Sequence, residues 1–204
     1  QLAWMFSHLD AHYIPLTWLT LGLDYVLWGM NPAGYHLTSV VLHAANAVLV
    51  YAVARRLIAA ALPGTSSGVL ALGSAVAALL FAVHPLRVES VAWATERRDV
   101  LCGLFYLLTV LAYLRYCASA SRRWYGASLA FLAAALLSKA MAVTLPVVLL
   151  LLDAYPLRQR AWREKLPFFA LSLAAGAVAL VAQRAAGATS TVAFLGPLER
   201  VAIA

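Results

Sequence analysis

Apolar blocks, most of them about as long as a bilayer crossing, make up about half of this chain, and short linkers between them hold most of its charge. Leu, Ala and Val run almost unbroken near 35–54, 66–83, 100–117, 125–137, 140–153 and 166–183, and roughly 20 apolar residues cross the hydrocarbon layer as a helix. In that layer every backbone polar group must be satisfied internally, which leaves helices or closed barrels. Barrel strands alternate apolar and polar residues, and these blocks do not. The expected fold is all-α: a polytopic membrane helical bundle of about six transmembrane helices. With 64% hydrophobic residues and a mean hydropathy of +0.85, the composition lies well outside that of soluble domains.

A single membrane domain is expected over 1–204. Residues 1–33 form its first part, rich in aromatics, and the stretch 14–28 reads as a helix with Pro15 in its first turn. Trp18, Tyr25 and Trp28 suit a helix lying at headgroup level, and Asn31-Pro32-Ala33-Gly34 breaks it. The bundle follows over 35–183, and 184–204 begin a further loop. The blocks 125–137 and 140–153 are short, so they form either two spans or one tilted helix with Ser138-Lys139 in its middle. Two spans put Arg55, Arg56, Arg115, Arg122, Arg123, Arg158, Arg160, Arg163 and Lys165 on one side, which the positive-inside rule makes cytoplasmic. The aromatic segment, residues 84–99, Lys139 and 184–204 then share the extracytoplasmic side. The net charge of +7 thus belongs to loops facing anionic membrane lipid, and nucleic acid is not an expected partner. The chain starts at Gln1 rather than Met, and it is expected to be a piece of a longer protein.

The densest ionic segment is His84-Pro85-Leu86-Arg87-Val88-Glu89-Ser90-Val91-Ala92-Trp93-Ala94-Thr95-Glu96-Arg97-Arg98-Asp99. In a chain with 11% charged residues, such a cluster at a membrane edge is either a solvated loop or a site, since unpaired ions there are costly. Asp99 is equally suited to capping the helix it heads. Arg97 and Arg98 can pair with Glu89 and Glu96, or bind an external anion through their planar forks. Lys139, caught between two apolar helices, either snorkels to the interface or contacts phosphate. His36, Ser39, His43 and Asn46 fall within about 80° of arc on the first span, facing protein or water rather than lipid. Cys102 and Cys117 share one span and lie about 22 Å apart, too far to bridge. Phosphate-cradling Gly-rich loops, metal-ligand spacings and nucleophile elbows do not occur in the sequence.

Several strings occur in a specific order: Pro15-Leu16-Thr17-Trp18-Leu19, Trp28-Gly29-Met30-Asn31-Pro32, Leu42-His43-Ala44-Ala45-Asn46, His84 to Trp93, Glu96-Arg97-Arg98-Asp99, Ser138-Lys139-Ala140-Met141, and Glu164-Lys165-Leu166-Pro167. Together they resemble the transmembrane O-mannosyltransferases with C-terminal tetratricopeptide repeats, in their bacterial branch. The resemblance implies a GT-C-like glycosyltransferase fold. It also implies transfer of a mannose-like sugar from a polyprenyl-phosphate donor to Ser or Thr of an acceptor protein, outside the bacterial inner membrane. It places the acidic pair that serves as general base upstream of Gln1 and assigns no such role to Asp10. The sequence departs from the family where Arg87 replaces His, Ala140 replaces Pro and Ser39 replaces Asn.

On this reading Arg97, Arg98 and Lys139 face the lipid phosphate, and Glu89 and Asp99 are the catalytic acids that orient these cations or the sugar. His84 hydrogen-bonds near the base of the loop, and Trp18 and Asp24 line the same cavity. No metal ligands are assigned, although a divalent cation could assist. The alternatives from other classes are an ion-coupled transporter, which needs polar residues through the full membrane depth, and a non-catalytic anchor for soluble repeats.

Overall fold

The computed structural model describes residues 13–159 and 162–186. Helix α1 (Pro15–Trp28) starts with Pro15, whose missing N–H costs nothing in a first turn. It stops at Gly29, whose φ of 61° is readily reached only without a side chain. Two residues later Asn31 Oδ1 accepts from the Ala33 N–H at 3.1 Å and starts α2 (Pro32–Ala61). A Cβ at Gly34 would come within 2.2 Å of the Trp28 side chain, so glycine lets α1 fold back tightly on α2. Helix α2 continues past the expected end at residue 54, because Arg, Leu, Ile and Ala in 55–61 are tolerated in helices. The Pro63-Gly64 turn comes only afterwards.

Helix α3 (Ser67–Val83) is capped by Ser66. The ionic segment then folds into a 3-10 turn (Pro85–Arg87), the short α4 (Val88–Ala92) and a second 3-10 turn (Ala94–Glu96). Helix α5 (Arg97–Ser119) and α6 (Arg122–Ser138) form a tight hairpin, with Ala120 left-handed at the turn. A 3-10 turn (Ala140–Thr144) leads into α7 (Leu145–Ala154), and another (Trp162–Lys165) leads into α8 (Leu166–Ala185). The most extensive packing joins α5 to α6, followed by α2 to α3 and α2 to α5. Tyr113, Leu132, Leu145, Leu149 and Phe168 are fully buried in the core, which lies among α5, α6, α7 and α8. Outer residues such as Val48, Leu72, Leu79 and Leu173 stay exposed, as lipid-facing side chains do.

This is the all-α membrane bundle expected, but fewer of its helices are long enough to cross alone. Pro32–Ala61, Ala94–Ser119 and Trp162–Ala185 are long and apolar enough, and Ser67–Val83 with Pro85–Ala92 makes a fourth bent by 55°. The other two of the six expected spans are short, because the extended backbone at Lys139 (φ −159°) separates α6 from the apolar segment Ala140–Ala154. Lys139 meets Asp99 at the head of α5, whereas Asp153 meets Tyr113 more than three turns further along it. The chain therefore reverses at Lys139: the segment is a helical hairpin and not one tilted helix. Residues 1–12 and 187–204, with Asp10 and most of the expected final loop, lie outside the described residues, as does Arg160.

Candidate functional site

Polar side chains gather at the end of the bundle where α1, α2 and α5 begin or turn, beside the hairpin tip. Two features hold this end together. Asp24 on α1 is buried and accepts hydrogen bonds from Arg97 Nη1 and from Thr38 Oγ1, the latter at 2.9 Å. Arg97 is fully buried, and its Nη2 donates to the Tyr35 carbonyl at 2.6 Å. The pair thus joins α1, α2 and α5. Alongside it, Thr17 Oγ1 donates to the Ser138 carbonyl at 3.1 Å and fixes α1 against the last turn of α6.

The solvent-facing ions form a second group. Lys139 Nζ donates to Asp99 Oδ1 and lies 4.0 Å from Glu96 Oε2. Ser90 Oγ donates to the other Asp99 oxygen at 3.2 Å. Arg98 Nε donates to Glu96 Oε2 at 3.2 Å, and its Nη2 donates to Oε1 of the same carboxylate. Asp99 therefore spends its carboxylate on Lys139 and Ser90, from its place in the first turn of α5.

Three adjoining cavities open around these groups. One of about 340 Å³ is lined by Asp99, Lys139, Cys102, Tyr106, Thr144 and Arg87. A second of about 190 Å³ shares Asp99, Tyr106 and Arg87 with it and adds His43, Asn46 and Ser90. A third of about 420 Å³ shares His43 and Arg87 with the second and adds His36, His84 and an apolar wall that includes Val40, Val83 and Val91. The stripe on α2 thus borders these cavities and also binds neighbouring helices. His43 Nε2 lies 3.0 Å from the Ala82 carbonyl, and Asn46 Nδ2 donates to the Val100 carbonyl at 2.8 Å. Gly103 permits the second contact, since a Cβ there would stand 3.3 Å from Asn46 Nδ2.

The structure thus brings Glu96, Arg98, Asp99 and Lys139 together and sets Arg97 with Asp24 behind them. Arg97, expected at the phosphate, has both terminal nitrogens committed inside the protein and acts on the site through the elements it joins. His84 lies at the rim, where its Nδ1 accepts from the Leu86 N–H at 3.2 Å and caps the first 3-10 turn. Glu89 is exposed on α4, and its carboxylate makes no hydrogen bond or ion pair among the described residues. Trp18 lies partly exposed on α1. No three His, Cys, Asp or Glu side chains are grouped for a metal ion among the described residues.

Two features escaped sequence reasoning. Arg87, noted there only as a departure from a pattern, lines all three cavities. A second buried polar cluster lies toward the other end of α5: Lys165 Nζ donates to Asp153 and to Tyr113, and Gln159 Nε2 donates to Asp153 at 2.9 Å. The signal for it was an Asp closing an apolar helix and a Lys opening another.

Comparison with known proteins adds a family to this geometry. Residues 15–183 match the family model described as dolichyl-phosphate-mannose-protein mannosyltransferase. The protein O-mannosyl-transferase Tmtc1 of Drosophila melanogaster is 40% identical over 132 residues, covering 64% of this chain and 14% of that protein. Its human relative TMTC4 is 42% identical over 108 residues, covering 50% of this chain and 14% of that protein. Tmtc2 of Drosophila melanogaster is 38% identical over 146 residues, covering 68% and 14%. This chain therefore spans about a seventh of the length of these relatives. No solved structure matches it. The ordered strings, the helical membrane bundle and the match over most of its length converge: this chain belongs to the dolichyl-phosphate-mannose-protein mannosyltransferase family.

Proposed function

We propose that the protein transfers a mannose-like sugar from a polyprenyl-phosphate donor to a Ser or Thr hydroxyl of an acceptor protein on the extracytoplasmic side of the membrane, in a bacterium the inner membrane. The observation that carries this reading is the Lys139–Asp99 pair on the wall of the cavity of about 340 Å³, with Ser90 bonded to the same carboxylate from the adjoining cavity, at one end of an otherwise apolar bundle. An ammonium has three donors, and Lys139 spends one on Asp99, leaving others for a phosphate oxygen. Basic residues concentrated in the linkers at the opposite end support the sidedness.

In the reaction the acceptor oxygen bonds to the anomeric carbon as that carbon's bond to the phosphate oxygen breaks. The bonding pair leaves on the lipid phosphate, and the hydroxyl proton passes to a carboxylate base. Charge grows on the phosphate as it departs, and a pre-positioned cation stabilises this developing charge more than the ground state. Asp99 positions the Lys139 ammonium, and Arg98 holds the Glu96 carboxylate beside it through two hydrogen bonds. Arg97 positions α5 through Asp24. The His84 ring lines the cavity of about 420 Å³, and the carboxylate of Glu89 is exposed on the neighbouring α4, where sugar or acceptor hydroxyls would meet it. Trp18 offers an apolar surface on the interfacial helix.

The test is transfer by the intact protein in vesicles, using a synthetic polyprenyl-phosphate mannose and a Ser/Thr-rich peptide. Lys139→Met is expected to lower kcat at least about 100-fold, the usual scale for removing one transition-state donor, without loss of membrane insertion. Unchanged transfer in both Lys139→Met and Asp99→Asn would overturn the reading.

A further inference from the structure

The charge of the cavity lining is uneven in a way that the Asp99–Lys139 pair does not explain. Taken together, the three adjoining cavities are lined by three formally charged side chains, Arg87, Asp99 and Lys139. Asp99 cancels Lys139 by direct contact. The remaining positive charge sits on Arg87, which makes no ion pair among the described residues. Its guanidinium carbon lies 4.7 Å from the centre of the Phe81 ring, and that ring stacks on His43 with centroids 5.4 Å apart. Aromatic support of this kind orients the planar fork and leaves its N–H donors available.

The surroundings of Arg87 indicate what it would hold. On one side the cavity of about 190 Å³ holds Asn46, whose Oδ1 is buried without a hydrogen-bond partner, so an occupant donating a hydroxyl is favoured there. On the other side the cavity of about 420 Å³ is walled by Val40, Val83, Val88 and Val91, of which the first three are exposed on the outer surface of the bundle. A polar hydroxyl-accepting space, a cation and an apolar wall thus follow one another.

We propose that Arg87 binds the phosphate of a lipid-borne phosphate ligand, its aliphatic chain leaving along the Val40–Val83–Val88 wall and its polar substituent pointing toward Asn46. This rests on the reading that the protein uses a lipid-phosphate-linked sugar, and it identifies a phosphate ligand separate from Lys139.

Direct binding tests the proposal without depending on turnover. The intact protein in lipid nanodiscs is titrated with farnesyl phosphate, farnesol and inorganic phosphate, and binding is read by tryptophan fluorescence. Arg87→Ala is expected to weaken farnesyl phosphate binding about tenfold, the scale of one charged hydrogen bond, with farnesol binding unchanged. Arg87→Lys keeps the charge but loses the planar fork, so its binding is expected to fall between that of Arg87→Ala and the native protein, while unchanged farnesol binding in both variants separates loss of the cation from misfolding. The proposal is overturned if Arg87→Ala binds farnesyl phosphate as tightly as the native protein does, or loses farnesol equally. It is also overturned if inorganic phosphate displaces farnesyl phosphate at equal concentration, since the site would then read a free ion. Sugar transfer is measured separately on the native protein: absent transfer with Arg87-dependent binding intact counts against the catalytic reading alone.

Discussion

Asp24 and Arg97 lie 73 positions apart in sequence, yet they form the most buried ion pair at the site end of the bundle. A pair of this kind stabilises little relative to apolar residues of the same shape, but removing one partner strands a buried charge. Arg97→Met is accordingly expected to destabilise the protein by about 3–5 kcal/mol. Asp24→Leu combined with Arg97→Met is expected to recover most of that loss. Unfolding of the detergent-solubilised protein, followed by tryptophan fluorescence, checks both. Recovery of stability without recovery of transfer would assign the pair to positioning α1 against the cavity. The clustering of Glu96, Arg98, Asp99 and Lys139 was legible in the sequence, because ions in so apolar a chain must find one another or water. The partner of Arg97 was not legible: three acids lie close to it in sequence, and only the fold-back of α1 at Gly29 and Gly34 brings Asp24 to it instead.

Among the elements, the α5–α6 hairpin decides where Lys139 arrives. Its turn residue Ala120 has φ 51°, a conformation that costs an alanine about 1–2 kcal/mol relative to glycine. Ala120→Gly is therefore expected to raise stability by about 0.5–1 kcal/mol once the extra freedom of glycine in the unfolded chain is counted. A higher unfolding midpoint with unchanged transfer is the readout. The short hairpin of α6 and Ala140–Ala154 was legible because the balance of Lys and Arg between sides favoured two passes over one tilted helix. Its lower closure was not, because Lys165 reads as one more basic linker residue. The structure instead buries Lys165 against Asp153 and Tyr113. Lys165→Met leaves the Asp153 carboxylate without its cation, and a loss of about 3 kcal/mol is expected, measured by the same unfolding assay.

At the scale of the whole molecule, the two ends of the bundle differ in kind. One has cavities with an ion cluster around them, and the other has a sealed polar knot beneath basic linkers. In a protein lacking Cys102 and Cys117, a cysteine replacing exposed Thr95 is expected to react with an impermeant maleimide added outside intact cells, and one replacing exposed Arg123 only after lysis. The reverse pattern would invert the sidedness proposed above. The transporter alternative needs a polar path joining these ends, and the side chains between them do not supply one. Below Tyr106 the next hydroxyl on that face of α5, Thr109, is turned back onto the Phe105 carbonyl at 2.7 Å, and Val110, Leu132, Leu145 and Leu149 fill the surroundings.

That greasy middle layer acts as an insulator. Among the described residues no relay of side chains leads from Asp99 toward Asp153, so a proton released by the proposed reaction at one surface would not short-circuit the voltage across the membrane.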